Sequence, residues 1–119
     1  MNPETYTVEQ LRAMMTPGQR KLADQYVARL PAGTVIAKPD FMAALGLHAE
    51  TAQAMIDERE VDAADWGGRG KQYWYITRES IISLIHKRIL GLRAQVPTTL
   101  RTQERFDFME TTTTKGARA

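Results

Sequence analysis

Arg69 and Lys71 stand in the run Gly67-Gly-Arg-Gly-Lys71, where three glycines in five residues let a chain turn tightly and carry two cations on a slender tip. Cations on such a tip suit phosphates or a narrow groove of a polyanion. Tyr73, Tyr75 and Arg78 follow directly, and Lys87 and Arg88 continue the positive charge further on. Upstream, His48, Glu50, Thr51 and Gln53 open a helix-like stretch. Gln can pair bidentately with adenine and Thr can touch a thymine methyl. These eleven positions are the candidate DNA contacts. For the tyrosines, cross-strand packing competes with stacking on bases. For Lys87 and Arg88, a solvated helix face competes with phosphate contact.

The same chain offers little for catalysis. His48 and His86 are the only histidines, and nothing in the sequence pattern brings them together. Asp57, Glu58, Glu60, Asp62 and Asp65 crowd one charged stretch, unlike a tuned acid–base pair, and their spacing matches no calcium loop. Gly67 to Gly70 lacks the Gly-Lys-Ser/Thr ending of a phosphate loop. With no Cys, thiolate metal sites, disulfides and a Cys nucleophile are excluded. The expectation is a non-enzymatic protein with no catalytic residue, metal or cofactor.

At 119 residues, 43% hydrophobic and 25% charged, the chain is sized and composed for one globular domain. No apolar run approaches a membrane span and no signal-peptide layout opens the chain, so a soluble, cytoplasmic protein is expected. The net charge of +2 hides an asymmetry. Residues 1–65 hold six Lys/Arg against ten Asp/Glu, net −4, and residues 66–119 hold ten against four, net +6. That asymmetry points either to a face aimed at a polyanion or to solubilising charge on the last segment.

The elements that must position these residues are legible in order. Thr7-Val-Glu-Gln10 has capping-box spacing and predicts a short helix with Val8 and Leu11 inward. Thr16-Pro17-Gly-Gln19 repeats the signal, with Pro at the first helical position, and predicts a helix to about Leu30. Its buried stripe is Leu22, Tyr26 and Leu30, supported by Ala23 and Val27. The β-branched Thr34-Val-Ile36 predicts an extended piece, a third strand beside a hairpin. Pro39-Asp40 opens a helix burying Phe41, Met42 and Leu45, and Leu45-Gly46-Leu47 turns into a second helix burying Ala52, Met55 and Ile56. Val61 closes that pair against the sheet.

The alternating strand Gln72 to Thr77 puts Trp74 and Ile76 on the core side and Tyr73 and Tyr75 on the other. Thr77 then caps a helix predicted to run to about Gln95, with Pro97 stopping it. Ile81, Ile85, Ile89, Leu92 and Val96 form its stripe, while Ile82, Leu84 and Leu90 fall outside it. A sector that wide predicts either a homodimer through this terminal helix or a small domain wrapped around it.

Helix–turn–helix followed by a basic hairpin gives the fold reading: mainly α (α+β), a winged helix-turn-helix. Residues 1–96 form a single domain, with N-terminal helices over 7–30, the helix–turn–helix over 39–60, the wing over 61–77 and a terminal helix over 78–96. Residues 97–119 read as a flexible basic tail, in which Phe106, Phe108 and Met109 are a possible site for a protein partner. At Leu45-Gly46-Leu47, Glu50-Thr51, Met55-Ile56, Gly67-Gly68-Arg69, Trp74-Tyr75-Ile76 and Thr77-Arg78-Glu79 the chain resembles the MerR-like and phage excisionase-like winged-helix DNA-binding families. The resemblance covers roughly residues 35–88. It implies a small regulator or architectural factor of the phage or plasmid kind, binding double-stranded DNA with the helix from Glu50 in the major groove and the wing on the minor groove and phosphates.

The chain departs from those families on the helix itself, where Glu50, Asp57, Glu58 and Glu60 outnumber the single cation Arg59. A second reading follows. On the same scaffold the acidic helix 50–60 faces a basic protein partner, as an interaction module or an inhibitor mimicking nucleic acid.

Overall fold

The computed structural model describes residues 5–67, 70 and 72–100. The fold is α+β, with five helices around a three-stranded antiparallel sheet. The helices are α1 (Val8–Ala13), α2 (Pro17–Val27), α3 (Lys38–Leu45), α4 (Ala49–Asp57) and α5 (Arg78–Ile89). The strands are β1 (Val35–Ala37), β2 (Ala63–Asp65) and β3 (Trp74–Thr77). No described helix is long and apolar enough to cross a membrane.

Both capping boxes form as the sequence spells them. Thr7 accepts from the Gln10 N–H at 3.1 Å and Gln10 Oε1 accepts from the Thr7 N–H at 2.8 Å. Thr16 and Gln19 repeat the exchange at 3.1 and 2.9 Å. A six-residue helix such as α1 is not stable alone. Fully buried Leu11 anchors it to the domain, where it packs on α5. In α2, Ala23 is fully buried and Tyr26 and Val27 half-buried, but Leu22, expected in the buried stripe, is 42% exposed. The helix ends at Val27, and turns carry the chain to buried Leu30.

The sheet order is β1-β3-β2, so β3 is the central strand and pairs on both edges. Ile36, Ile76 and Ala63 stand opposite one another across it, with Ile76 fully buried. Tyr75 faces the other way, opposite Ala37 and Ala64, and its ring lies 4.8 Å from that of Trp66. The alternation expected of this strand is therefore present, and Tyr75 serves packing.

Phe41 and Ala44 of α3 and Ala52, Met55 and Ile56 of α4 close the core from one side. The turn between them uses Gly46 at φ +68°, a left-handed position where a side chain is strained, and Leu47 N–H reaches back to Met42 O at 2.9 Å.

α5 is the helix the domain is built around. Ile81, Leu84 and Ile85 are buried, and Ile82, Ile89 and Leu90 pack half-buried on the same core. The buried part of the aliphatic sector packs on the chain's own α1, α2 and β3. α5 also ends earlier than Pro97. Gly91, at φ +75°, donates to Arg88 O (3.0 Å) while Leu92 N–H donates to Lys87 O (2.7 Å), a paired closure that satisfies the last carbonyls.

Beyond Gly91 the chain forms no helix or strand as far as Leu100 and lies against the end of α4 and the start of β2. Val96 N–H bonds Arg59 O at 2.8 Å, and the Asp62 carboxylate accepts from the N–H groups of Thr99 (2.9 Å) and Leu100 (3.2 Å) and from the Thr99 hydroxyl. Residues 97–100, read as the start of a flexible tail, form a strap pinned on a buried acid. Phe106, Phe108 and Met109 lie outside the described residues.

α4 ends with the same closure as α5, but with Arg59 rather than Gly in the left-handed position, at φ +58°. Two outcomes follow for denaturant unfolding. Gly91→Ala should destabilise by about 1 kcal/mol through the backbone alone, because nothing lies within 4 Å of the added Cβ. Arg59→Gly should stabilise, by up to about 1 kcal/mol. Unchanged stability in both would show that these turns do not set the helix ends.

Candidate nucleic-acid interface

The candidate surface is built from α3, α4 and the β2–β3 hairpin. On α4, burial of Ala52, Met55 and Ile56 turns Glu50, Thr51, Ala54, Asp57 and Glu58 to solvent. Glu50 and Thr51 therefore lie where the sequence places them. His48 is the exposed N-cap residue and makes no side-chain cap.

Gln53 lies half-buried on the flank of the helix and is already engaged. Its Oε1 accepts from Lys38 Nζ at 2.8 Å and its Nε2 donates to Asp57 Oδ1 at 3.0 Å. To pair with a base edge it must release Lys38. Lys38 itself, at the start of α3, is a cation on this surface that the sequence reading passed over.

A contrast in capping marks the same region. α1, α2 and α5 each begin at a Thr whose hydroxyl accepts a backbone N–H. α3 begins at Ala37 and α4 at His48, and neither has a side-chain cap. Two helix N-termini thus keep N–H donors without a side-chain partner, the kind of group that takes phosphate oxygens.

The hairpin is closed at its base by Asp65, whose Oδ1 accepts from the N–H groups of Gly67 (2.9 Å) and Tyr73 (3.0 Å), and by Trp66 N–H on Tyr73 O at 2.8 Å. Tyr73 is 54% exposed beside the tip. Gly70 takes φ +82°, a conformation the glycine-rich tip was expected to need. Arg69 and Lys71 lie outside the described residues.

Three cations sit differently from expectation. Lys87, read as part of a solvent-facing basic stripe, is 3% exposed, because the strap and α1 close over that side of α5. It is not a surface phosphate contact in this fold. Arg88 is held by Glu60, with Nε on Oε1 and Nη2 on Oε2, both at 3.0 Å. Glu60 is buried, so Arg88 serves first as its counter-ion. Arg78 opens α5 half-buried, its N–H on Thr34 O at 2.9 Å, and its Nε is buried without a hydrogen-bond partner.

The acidic stretch divides by the same test. Glu60, Asp62 and Asp65 are held by partners from elsewhere in the domain, Asp57 faces outward with only Gln53 of its own helix as partner, and Glu58 faces outward. His86, expected at a surface or an edge, is buried. Its Nδ1 lies 2.8 Å from Ile82 O and its Nε2 3.2 Å from Arg12 Nη1, which makes Nδ1 the donor and Nε2 the acceptor. Among the described residues no group of three His, Asp or Glu side chains is placed to hold a metal ion.

No protein-family model matches the chain, and neither does any curated protein or solved structure.

The Arg88–Glu60 geometry yields a direct expectation. Arg88→Met should destabilise the fold by about 2 kcal/mol, because it leaves a buried carboxylate unpaired and the Arg side of the pair is partly solvated. Glu60→Leu combined with Arg88→Leu should recover most of that loss in chemical denaturation. A neutral Arg88→Met would mean that the pair is not structural and would return Arg88 to the set of free surface cations.

Proposed function

We propose that the chain is a winged helix-turn-helix protein that binds double-stranded DNA, a cytoplasmic regulator or architectural factor similar to the MerR-like and excisionase-like families. The reading rests foremost on the two uncapped helix N-termini, which belong to α3 and α4 and to no other helix described. The element order of helix, strand, helix, glycine turn, helix and hairpin, with sheet order β1-β3-β2, supports it.

In this reading α3 crosses the phosphate backbone. The first turn of α4, at Ala49 to Gln53, meets base edges, and the hairpin lies along the flanking groove. Lys38, Arg69 and Lys71 supply the phosphate contacts, and Tyr73 lies against the backbone beside them. Lys87 and Arg88 are not assigned to DNA. The exposed acids of α4 limit the approach to its N-terminal end, since Asp57 and Glu58 oppose a polyanion further along.

A second reading is favoured by those same acids. Asp57, Glu58 and Glu50 form the outward ridge of α4, bordered by exposed Arg59 and Arg93. Beside it an apolar groove of about 280 Å³ opens between α2, the Gly46 turn and α5, lined by Leu22, Tyr26, Leu47 and Met55. Ridge and groove together suit a basic protein segment with apolar anchors.

One set of variants separates the two. Replacing Arg69 and Lys71 with Ala should weaken duplex binding and reduce the magnitude of the log K against log salt slope by about 2, one for each lost phosphate contact. Asp57→Lys with Glu58→Lys should tighten binding to any duplex. Unchanged affinity and slope in the first variant would take the hairpin out of the interface.

A further inference from the structure

The sheet has two unlike faces. One carries Ile36, Ala63, Trp74 and Ile76, which pack on the core with the helices. The other is centred on the row of Ala37, Tyr75 and Ala64. One step past the Asp65–Trp74 pair, the register sets Trp66 opposite Tyr73 on this same outer face, and the Trp66 N–H donates to Tyr73 O at 2.8 Å. Neither Trp66 nor Tyr75 packs on the core. Their rings lie against each other, 4.8 Å apart, and both remain only half-buried. Tyr73, beside them, is 54% exposed. An aromatic surface thus covers one end of a sheet face that the core does not use.

The chain that bounds this surface is cationic. From Trp66 to Arg78 it holds Arg69, Lys71 and Arg78 and no acid. The Arg78 Nε is buried without a hydrogen-bond partner. Asp65, the acid of β2, stands in the Trp74 row on the core side, and its Oδ1 is taken by the Gly67 and Tyr73 N–H groups.

We propose that this outer face binds single-stranded nucleic acid, with unpaired bases stacked on Tyr73 and on the Trp66–Tyr75 pair and the neighbouring cations drawing in the phosphates. Every base has a flat π-face, so aromatic rings hold a single strand whatever its sequence. In a duplex those faces are covered by neighbouring base pairs. Cations without acids favour a polyanion. A second copy of this chain fits less well, because two such faces brought together set like charges against each other. The inference does not rest on the duplex reading, since it uses neither α4 nor the helix N-termini.

Titration of the full chain with oligothymidylate at low salt, followed by tryptophan fluorescence, tests the proposal. Stacking on Trp66 should quench the emission. Trp66→Phe, which keeps a ring against Tyr75, should remove most of the quench and leave the affinity within about threefold. Tyr73→Ala, at an exposed position, should weaken binding about tenfold. A sugar–phosphate oligomer of the same length without bases should bind at least about tenfold more weakly than oligothymidylate. Oligouridylate, run in parallel, tells RNA from DNA as the strand held, and binding of either upholds the proposal. Binding of neither strand, equal affinity for the base-free oligomer, or unchanged affinity in Tyr73→Ala would overturn it. So would a dimer, seen in sedimentation, that Tyr73→Ala dissociates, which would give the face to a second copy. Single-strand binding without duplex binding would uphold this inference and remove the duplex reading, and duplex binding without single-strand binding would do the reverse.

Discussion

Asp62 is the residue through which most of this structure is tied. Its N–H donates to Ser80 Oγ at 3.0 Å and its carbonyl accepts from Thr77 N–H at 2.9 Å, so its backbone joins the start of β2 to the end of β3 and the first turn of α5. Ser80 Oγ in turn donates to Thr77 O. The side chain, inside the domain, holds the strap. A buried carboxylate is costly unless its lone pairs are filled, and here two backbone N–H groups and a hydroxyl fill them. The strap is therefore part of the fold, and the end of α4, the base of the hairpin and the cap of α5 are held from one point.

That arrangement explains why formal charge is a poor guide to the field of this protein. Arg12 is committed to Asp24 at 2.9 Å and also meets His86. Arg20 donates to the carbonyls of Arg12 and Met15. Arg29 lies 4.9 Å over the Tyr26 ring, and Arg88 belongs to Glu60. Most cations of the described part thus have internal partners, and so do four of the five acids from Asp57 to Asp65. The outward charge near α4 is mixed, with Lys38 on one flank, Glu50, Asp57 and Glu58 on the ridge, and exposed Arg59 and Arg93 beside them.

Much of this was legible where local chemistry decides the structure. Thr7, Thr16 and Thr77 announce helix starts, Gly46 announces the turn, and the alternation through Trp74, Tyr75 and Ile76 gives the strand and its faces. The rest depended on contacts remote in sequence. Gly91 inside an aliphatic, helical pattern looks tolerable until its left-handed conformation closes the helix, and the stronger punctuation of Pro97 draws the boundary too late. Leu22 fits the periodicity of α2 but sits at the edge of a groove. Lys87 and the strap could not be read, since a lysine among Arg88 and His86 looks solvated and Pro-Thr-Thr looks like linker. Asp62 and the Arg59 carbonyl, both distant in sequence, hold that segment.

The most direct test of the central claim, that the surface of α3, α4 and the hairpin binds DNA, is amide chemical-shift mapping of the full chain during titration with a short duplex at low salt. Binding through this surface should give perturbations centred on Lys38 to Asp40, Ala49 to Gln53 and Gly67 to Tyr73, fading as salt is raised. Perturbations confined to α2 around Leu22 and Tyr26, or none at the lowest salt, would contradict it.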